Sequence, residues 1–387
     1  MDRLFLVATC LLFLSGLANA TDPDSTKTRP AQITFVYPLG SNGFDAMDYS
    51  NKFSLNVLFG LNGGLDGGTE LAGIASYNHG DVSGFQAAGM FNVNKGKTEG
   101  AIMSGLANLS GGDSRGALFA GYVNATNGSS KGLQSAGFAN VTLKSFNGAG
   151  FAGFTNVVLD SASGFMGAGF ANVVTNNASG VHISPFNVTT KRFDGFQLGV
   201  VNYASTLSGT QLGIINVVTD LEKGVPIGLF SVVKGGLFEI EVLAGEALYS
   251  NLNYKMGVDQ FYTIFKAGFA TYKDKSVVSY GAGFGTNVSL GARNVLSIDL
   301  SSSQLNYDNN WDGKVNLLNK LDFNFKIALS DHVSFILGPS LNVYVTQEKV
   351  DGEFGTLNVP YTLYEDKDGD TGVSGWIGGN AGVSFRF

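Results

Sequence analysis

The chain divides by its rhythm of apolar and polar positions, and from residue 68 to 235 that rhythm is long and repetitive. Gly68, Gly84, Gly100, Gly116, Gly132, Gly148, Gly164 and Gly180 stand 16 residues apart, and the spacing then tightens to Gly195, Gly209 and Gly224. A second glycine follows five residues later at Gly73, Gly89, Gly105, Gly121, Gly137, Gly153 and Gly169, and four later at Gly199, Gly213 and Gly228. Asn92, Asn108, Asn124, Asn140, Asn156, Asn172, Asn202 and Asn216 each stand three residues beyond that second glycine. One copy, GFQAAGMFNVNKGKTE from Gly84 to Glu99, passes from small and apolar residues into a polar stretch, which predicts a strand followed by a turn.

Charge placement sharpens the prediction. The apolar parts of the copies from Gly84 through Gly224 hold no Lys, Arg, Asp or Glu, while Lys97, Glu99, Asp113, Arg115, Lys131, Lys144, Asp160, Lys191, Arg192 and Asp194 all fall in the connecting stretches. Two architectures fit. Each copy is either one rung of a β-solenoid, with like residues stacked at roughly 4.8 Å, or one strand of a single large barrel, since roughly 9–11 residues cross a bilayer. The shortened copies favour the solenoid. A one-residue deletion inside a continuous strand turns every later side chain to the other face, whereas a corner absorbs it. The uncharged exterior that a solenoid implies keeps the barrel open.

From about residue 237 the period becomes two. Tyr280, Ala282, Phe284, Thr286, Val288 and Leu290 alternate with Gly281, Gly283, Gly285, Asn287 and Ser289. Val333, Phe335, Leu337, Pro339, Leu341, Val343 and Val345 alternate with His332, Ser334, Gly338, Ser340, Asn342 and Thr346, and Ile377 to Phe387 repeats the pattern against Trp376 to Arg386. Such segments number about eight, at 237–248, 249–257, 260–272, 277–290, 294–306, 315–329, 332–347 and 374–387. An apolar outside and a polar inside predict a small closed antiparallel transmembrane barrel, with 307–314 and 348–373 as loops on one side. Tyr249, Tyr262, Tyr272, Tyr307, Trp311, Tyr344 and Trp376 lie near strand ends, as an interfacial girdle requires. A soluble β-sandwich also alternates, but it does not account for the low charge or the terminal Phe387.

The N-terminus reads as a signal peptide over residues 1–20: Arg3 supplies the positive start, an apolar run follows over 4–17, and Ala18-Asn19-Ala20 is the cleavage site. Cys10, the lone cysteine, lies inside it. The expected organisation is therefore a signal peptide (1–20), an N-terminal β segment (21–67), the Gly/Asn-rich repeats (68–235) and the C-terminal barrel (236–387). Composition agrees with an all-β chain in or against an apolar environment. Charged residues make up 14%, aromatics 12%, and 54 of 387 residues are Gly, against roughly 25% charged residues in ordinary soluble chains. The net charge of -7 excludes nucleic acid as the expected partner, because no basic patch is present to release phosphate counterions.

Phe85-Gln86-Ala87-Ala88-Gly89-Met90-Phe91-Asn92, Phe196-Gln197-Leu198-Gly199-Val200-Val201-Asn202 and Gln211-Leu212-Gly213-Ile214-Ile215-Asn216 resemble the bacterial surface-repeat family with GxQxGxxN-type repeats. The resemblance spans about residues 53 to 233. Ile102, Leu118, Gly150 and Met166 stand where the motif has Gln, and Pro185 stands where it has the second glycine. The resemblance implies a surface or outer-membrane location and no activity.

Enzyme signals are thin. His79, His182 and His332 are far apart, without metal-ligand spacing; His79 reads as a turn residue, His332 as a strand start, and His182 as the occupant of the Gln position. Asp366-Lys367-Asp368-Gly369-Asp370 is similar to a calcium loop, but Thr371 and Ile377 stand where an EF-hand needs Gly and Glu. No catalytic, cofactor-binding or metal-binding residues, and no cofactor, are expected. The sequons at Asn124, Asn140 and Asn187 follow from the repeat. The expectation is a non-enzymatic protein of a bacterial outer membrane whose partners are membrane lipid and an unidentified surface ligand. The alternatives are a wide porin-like channel built by repeats and C-terminal strands together, and a lipid-modifying barrel enzyme using His182 and His332.

Overall fold

The computed structural model describes residues 27–387, except positions 273, 292, 309–312, 351, 355, 356, 358, 360 and 368. The expected signal peptide with Cys10, and Trp311 and Asp368, lie outside the described residues. The chain packs as two compact units, the first ending at Gly209 and the second running Thr210–Phe387. No helix among the described residues is long and apolar enough to cross a membrane.

In the first unit the repeats are rungs of a parallel β-solenoid. The strand Ser114–Ala120 lies in parallel between Thr98–Ser104 and Ser130–Ala136, with Gly116 opposite Gly100 and Gly132. The shorter strand Val123–Thr126 lies likewise between Ala107–Ser110 and Ala139–Thr142, with Asn124 opposite Asn108 and Asn140. Each copy thus gives two strands that stack on the copies before and after it. Strands of one large up-and-down barrel would pair antiparallel with their chain neighbours, so that alternative fails, and the wide channel built on it fails too.

Glycine marks the two places where rungs come closest. Gly132 has φ +124, and a Cβ there would sit 2.1 Å from the Gly116 carbonyl oxygen. A Cβ on Gly137 would sit 2.1 Å from the carbonyl oxygen of Gly121. Neither position tolerates a side chain.

The first shortened copy shows where the lost residue goes. Gly180 stays opposite Gly164 and Asn187 stays opposite Asn172, so both strands keep their register and the deletion lies at the corner between them. There Ser184, not Pro185, takes the place of the second glycine, because the Cβ built on Gly199 meets the Ser184 carbonyl oxygen at 2.3 Å. Pro185 sits one place further on, accepting from Val200 N and Val201 N at 2.9 Å each. A missing N–H is tolerated at that bend.

Before the repeats, Lys27–Arg29 and Gln32–Val36 pair in parallel with Tyr49–Asn62. That strand then pairs with Gly64–Ala72 and Ala75–Asn78, so the N-terminal segment starts the same stack.

The second unit contains a closed antiparallel barrel of eight strands: Leu237–Gly245, Ser250–Val258, Phe261–Tyr272, Lys275–Ser289, Asn294–Tyr307, Asn316–Ala328, Val333–Thr346 and Gly372–Arg386. The first and last pair with each other, Val242 opposite Val383. Closure removes the exposed edges of the sheet and rules out the sandwich. Because the strands alternate in direction, the connections 308–315 and 347–371 share one end of the barrel. The turns 259–260, 290–293 and 329–332 share the other end with the C-terminus.

Candidate functional site

The repeat interior combines a buried amide ladder with apolar side chains such as Ile102, Leu118 and Met166. Asn92, Asn108, Asn124, Asn140, Asn156 and Asn172 form a ladder in which each Nδ2 donates to the Oδ1 of the next, at 2.9 to 3.0 Å. The same Nδ2 groups donate to a backbone carbonyl of the following rung, as Asn108 does to Phe119 O at 2.8 Å and Asn140 to Phe151 O at 2.7 Å. A primary amide on a short stem supplies two donors and one acceptor at this spot, which is why Asn recurs there. The sequon residues Asn124, Asn140 and Asn187 are all buried in this ladder.

Two titratable groups sit in that interior, both fully buried. Glu70 occupies the Gln position of its copy and accepts from Asn56 (3.0 Å), Asn78 (2.8 Å) and Gln86 (2.9 Å), and from Asn62. Burial raises its pKa above the usual carboxylate value, and the amide donors oppose that without overcoming it. His182 lies opposite Met166 and Gln197, with its ring edge-on to Phe193 at 5.0 Å. Neither ring nitrogen has a hydrogen-bond partner, and burial pushes the imidazole down to about 4.

The barrel carries its polarity inside out. Phe284, Leu300, Phe325, Leu337, Leu341 and Ile377 face outward and are exposed, while Glu241, Lys255, Asp299, Lys320, Asp322 and Lys326 point into the lumen and are buried. The lumen charges pair across strands. Lys255 Nζ lies 2.7 Å from Glu241 and 2.6 Å from Asp299, and Tyr262 donates to Asp299 at 2.6 Å. Lys326 bridges Glu239 and Glu241. Lys266 and Lys320 flank Asp322 at 3.5 and 3.4 Å, and Lys320 also donates to Asn380 at 2.8 Å. Four lysines thus face four carboxylates, which is the balance that buried charges require.

Toward the long-loop end the lumen is closed by an apolar cluster including Leu248, Leu305, Leu318, Tyr344, Leu357 and Trp376, with Tyr307 and Tyr344 hydroxyls 2.9 Å apart. Trp376 Nε1 donates to Glu246 at 2.8 Å. The interfacial girdle therefore needs correction. Tyr262, Tyr307, Tyr344 and Trp376 are buried in the lumen, and Tyr249 is exposed. Strand parity decides this, since Tyr262 shares its face with Ile264 and Lys266, and the polar tips find partners inside. The short-turn end opens as a cavity of about 470 Å³ lined by Glu239, Asp259, Arg293, Lys326, His332 and Arg386 among others.

Other residues singled out in the sequence are divided between the two units. His79 is exposed in a turn. His332 is exposed, its Nδ1 3.0 Å from Arg386 O, and it belongs to the second unit whereas His182 belongs to the first. In the acidic loop Lys367 pairs with Glu365 at 2.8 Å, and no group of three His, Cys, Asp or Glu side chains among the described residues is placed to hold a metal. The lumen charges were missed in the sequence. Their signal was there: Glu239 with Glu241, and Lys320, Asp322 and Lys326, each recur at period two within apolar strands.

No protein-family model, curated protein or solved structure matches this sequence.

Proposed function

We propose that this chain is a non-enzymatic outer-membrane protein, in which residues 237–386 span the bilayer as an anchor and the repeats form a long regular body for structural support or surface interaction. The observation that carries this reading is the inverted barrel, apolar outside and ion-paired inside, an arrangement that suits a hydrocarbon surround. The resemblance of the repeats to the GxQxGxxN family points the same way. The filled lumen favours an anchor over a conducting pore.

The topology adds a side. The chain enters the barrel at the short-turn end, where Phe387 N donates to Phe238 O at 3.0 Å. Short turns of such barrels face the periplasm, so in this reading the repeat body starts from the periplasmic face. Display on the cell exterior is the alternative that the family resemblance favours. Purified protein that migrates faster unboiled than boiled in detergent gels, together with repeats cut by added protease only after the outer membrane is opened, is the expected result. A freely water-soluble monomer without surfactant refutes the anchor, and repeats cut on intact cells refute the periplasmic placement alone.

A further inference from the structure

Within the second unit the last two repeat copies press against the outside of the barrel. Phe230 stacks on Phe265 with ring centroids 5.5 Å apart, and Thr263 Oγ1 donates to Gly228 O at 2.6 Å. Beside this contact lies a groove of about 620 Å³, whose walls are Leu212, Ile227 and Leu229 from the repeats and Phe261, Phe284 and Leu300 from the barrel. That volume is within the range of roughly 300–1,000 Å³ typical of small-molecule sites. No ionisable side chain lines it; its polar side chains are those of Ser301, Ser302, Asn319 and Thr263, the last already bonded to the repeat backbone.

We propose that this groove binds one acyl chain of a membrane phospholipid. The proposal rests on the bilayer-spanning reading of the barrel. Phe284 and Leu300 are half exposed, at 51% and 46%, and belong to the outward belt that hydrocarbon bathes in that reading, so the groove is continuous with the acyl-chain region. Its barrel wall runs from Phe261 and Thr263, beside turn 259–260, up to Leu300 and Ser302 at mid-strand. A peptide would bring a full row of backbone N–H and C=O groups, more than the few polar side chains of this lining can satisfy. A flexible alkyl chain brings none, and it fills a space whose walls otherwise lose dispersion contacts.

The test uses the full chain reconstituted in vesicles of phosphatidylethanolamine and phosphatidylglycerol, extracted in mild detergent and weighed by native mass spectrometry. Wild type retains one phospholipid per chain. Ala282→Trp, which fills the groove from the barrel wall, and Leu229→Trp, which fills it from the repeats, each lower retention by about fivefold or more because the ring takes the space that the chain's contacts need. Both keep the gel shift on boiling. Wild type without lipid, or filled grooves that retain lipid as wild type does, overturns the proposal. If one variant loses the gel shift, the other decides. A wild-type protein with no gel shift on boiling defeats the anchor reading and the groove with it, whereas lipid loss with the shift intact is specific to the groove.

Discussion

The repeat interior depends on side chains that cannot be exchanged for near neighbours. Asn140 receives from Asn124 at 3.0 Å and donates to Asn156 at 2.9 Å. Asn140→Ala takes the donor from the buried Asn156 Oδ1 and is expected to destabilise the repeats by about 1–3 kcal/mol, read as a lower urea midpoint by circular dichroism. His182 gives a pH signature. Its folded pKa is depressed from 6.5 to about 4, so the unfolded chain takes up the proton first. The stability that neutral His182 allows is complete above about pH 6.5 and is lost progressively as pH falls toward 4, by about 3.5 kcal/mol at most from 1.4 kcal/mol per unit. His182→Gln, which restores the residue of the neighbouring copy, flattens that slope in urea titrations between pH 4 and 7. Glu70 acts with the opposite sign: its pKa is raised, so stability declines as pH rises from the ordinary carboxylate value through the folded one, and Glu70→Gln removes that decline. The recurrence of Asn was legible in the sequence because it has a period. The isolation of His182 was not, because no spacing reports whether a ring nitrogen has a partner.

At the scale of single elements, the corner is where the repeat accepts a change in length. Register is kept on both sides of Ser184 and Pro185, Gly180 opposite Gly164 and Asn187 opposite Asn172. An alanine inserted between Ile183 and Ser184 is therefore expected to leave the melting temperature within a few degrees, at a cost of about 1 kcal/mol or less. The same insertion between Val181 and His182 turns the rest of the strand inside out and abolishes the cooperative melt. The barrel strands were readable one by one, since alternation is local. Strand Gly372–Arg386 keeps Ile377 and Phe385 outside and Trp376, Asn380 and Ser384 inside, as its sequence indicates. The tyrosines were less readable: proximity to a strand end suggested a girdle, but parity sends Tyr262, Tyr307 and Tyr344 inward.

For the whole molecule, the lumen network decides whether the barrel anchors or conducts. Lys255 is fully buried between Glu241 and Asp299. Lys255→Met removes the cation beside buried Asp299 and leaves Glu241 to Lys326 alone, and is expected to lower barrel stability by about 3–5 kcal/mol, seen as loss of the gel shift at lower temperature. Purified wild type is expected to give no steady conductance in planar bilayers, because side chains fill the lumen. A lasting open level would contradict the anchor role. The sequence by itself determined the two periods, sixteen and two, and with them the repeat unit, the eight strands and the apolar side of each strand. It could do so because periodicity is a property of neighbouring residues. Only the tertiary structure decided that the repeats stack in parallel rather than close into a barrel, and which lumen charges meet. Lys326 finds Glu239 across 87 residues of chain, and Lys320 finds Asn380 across 60. Such pairings are set by barrel closure and shear, which no local pattern records.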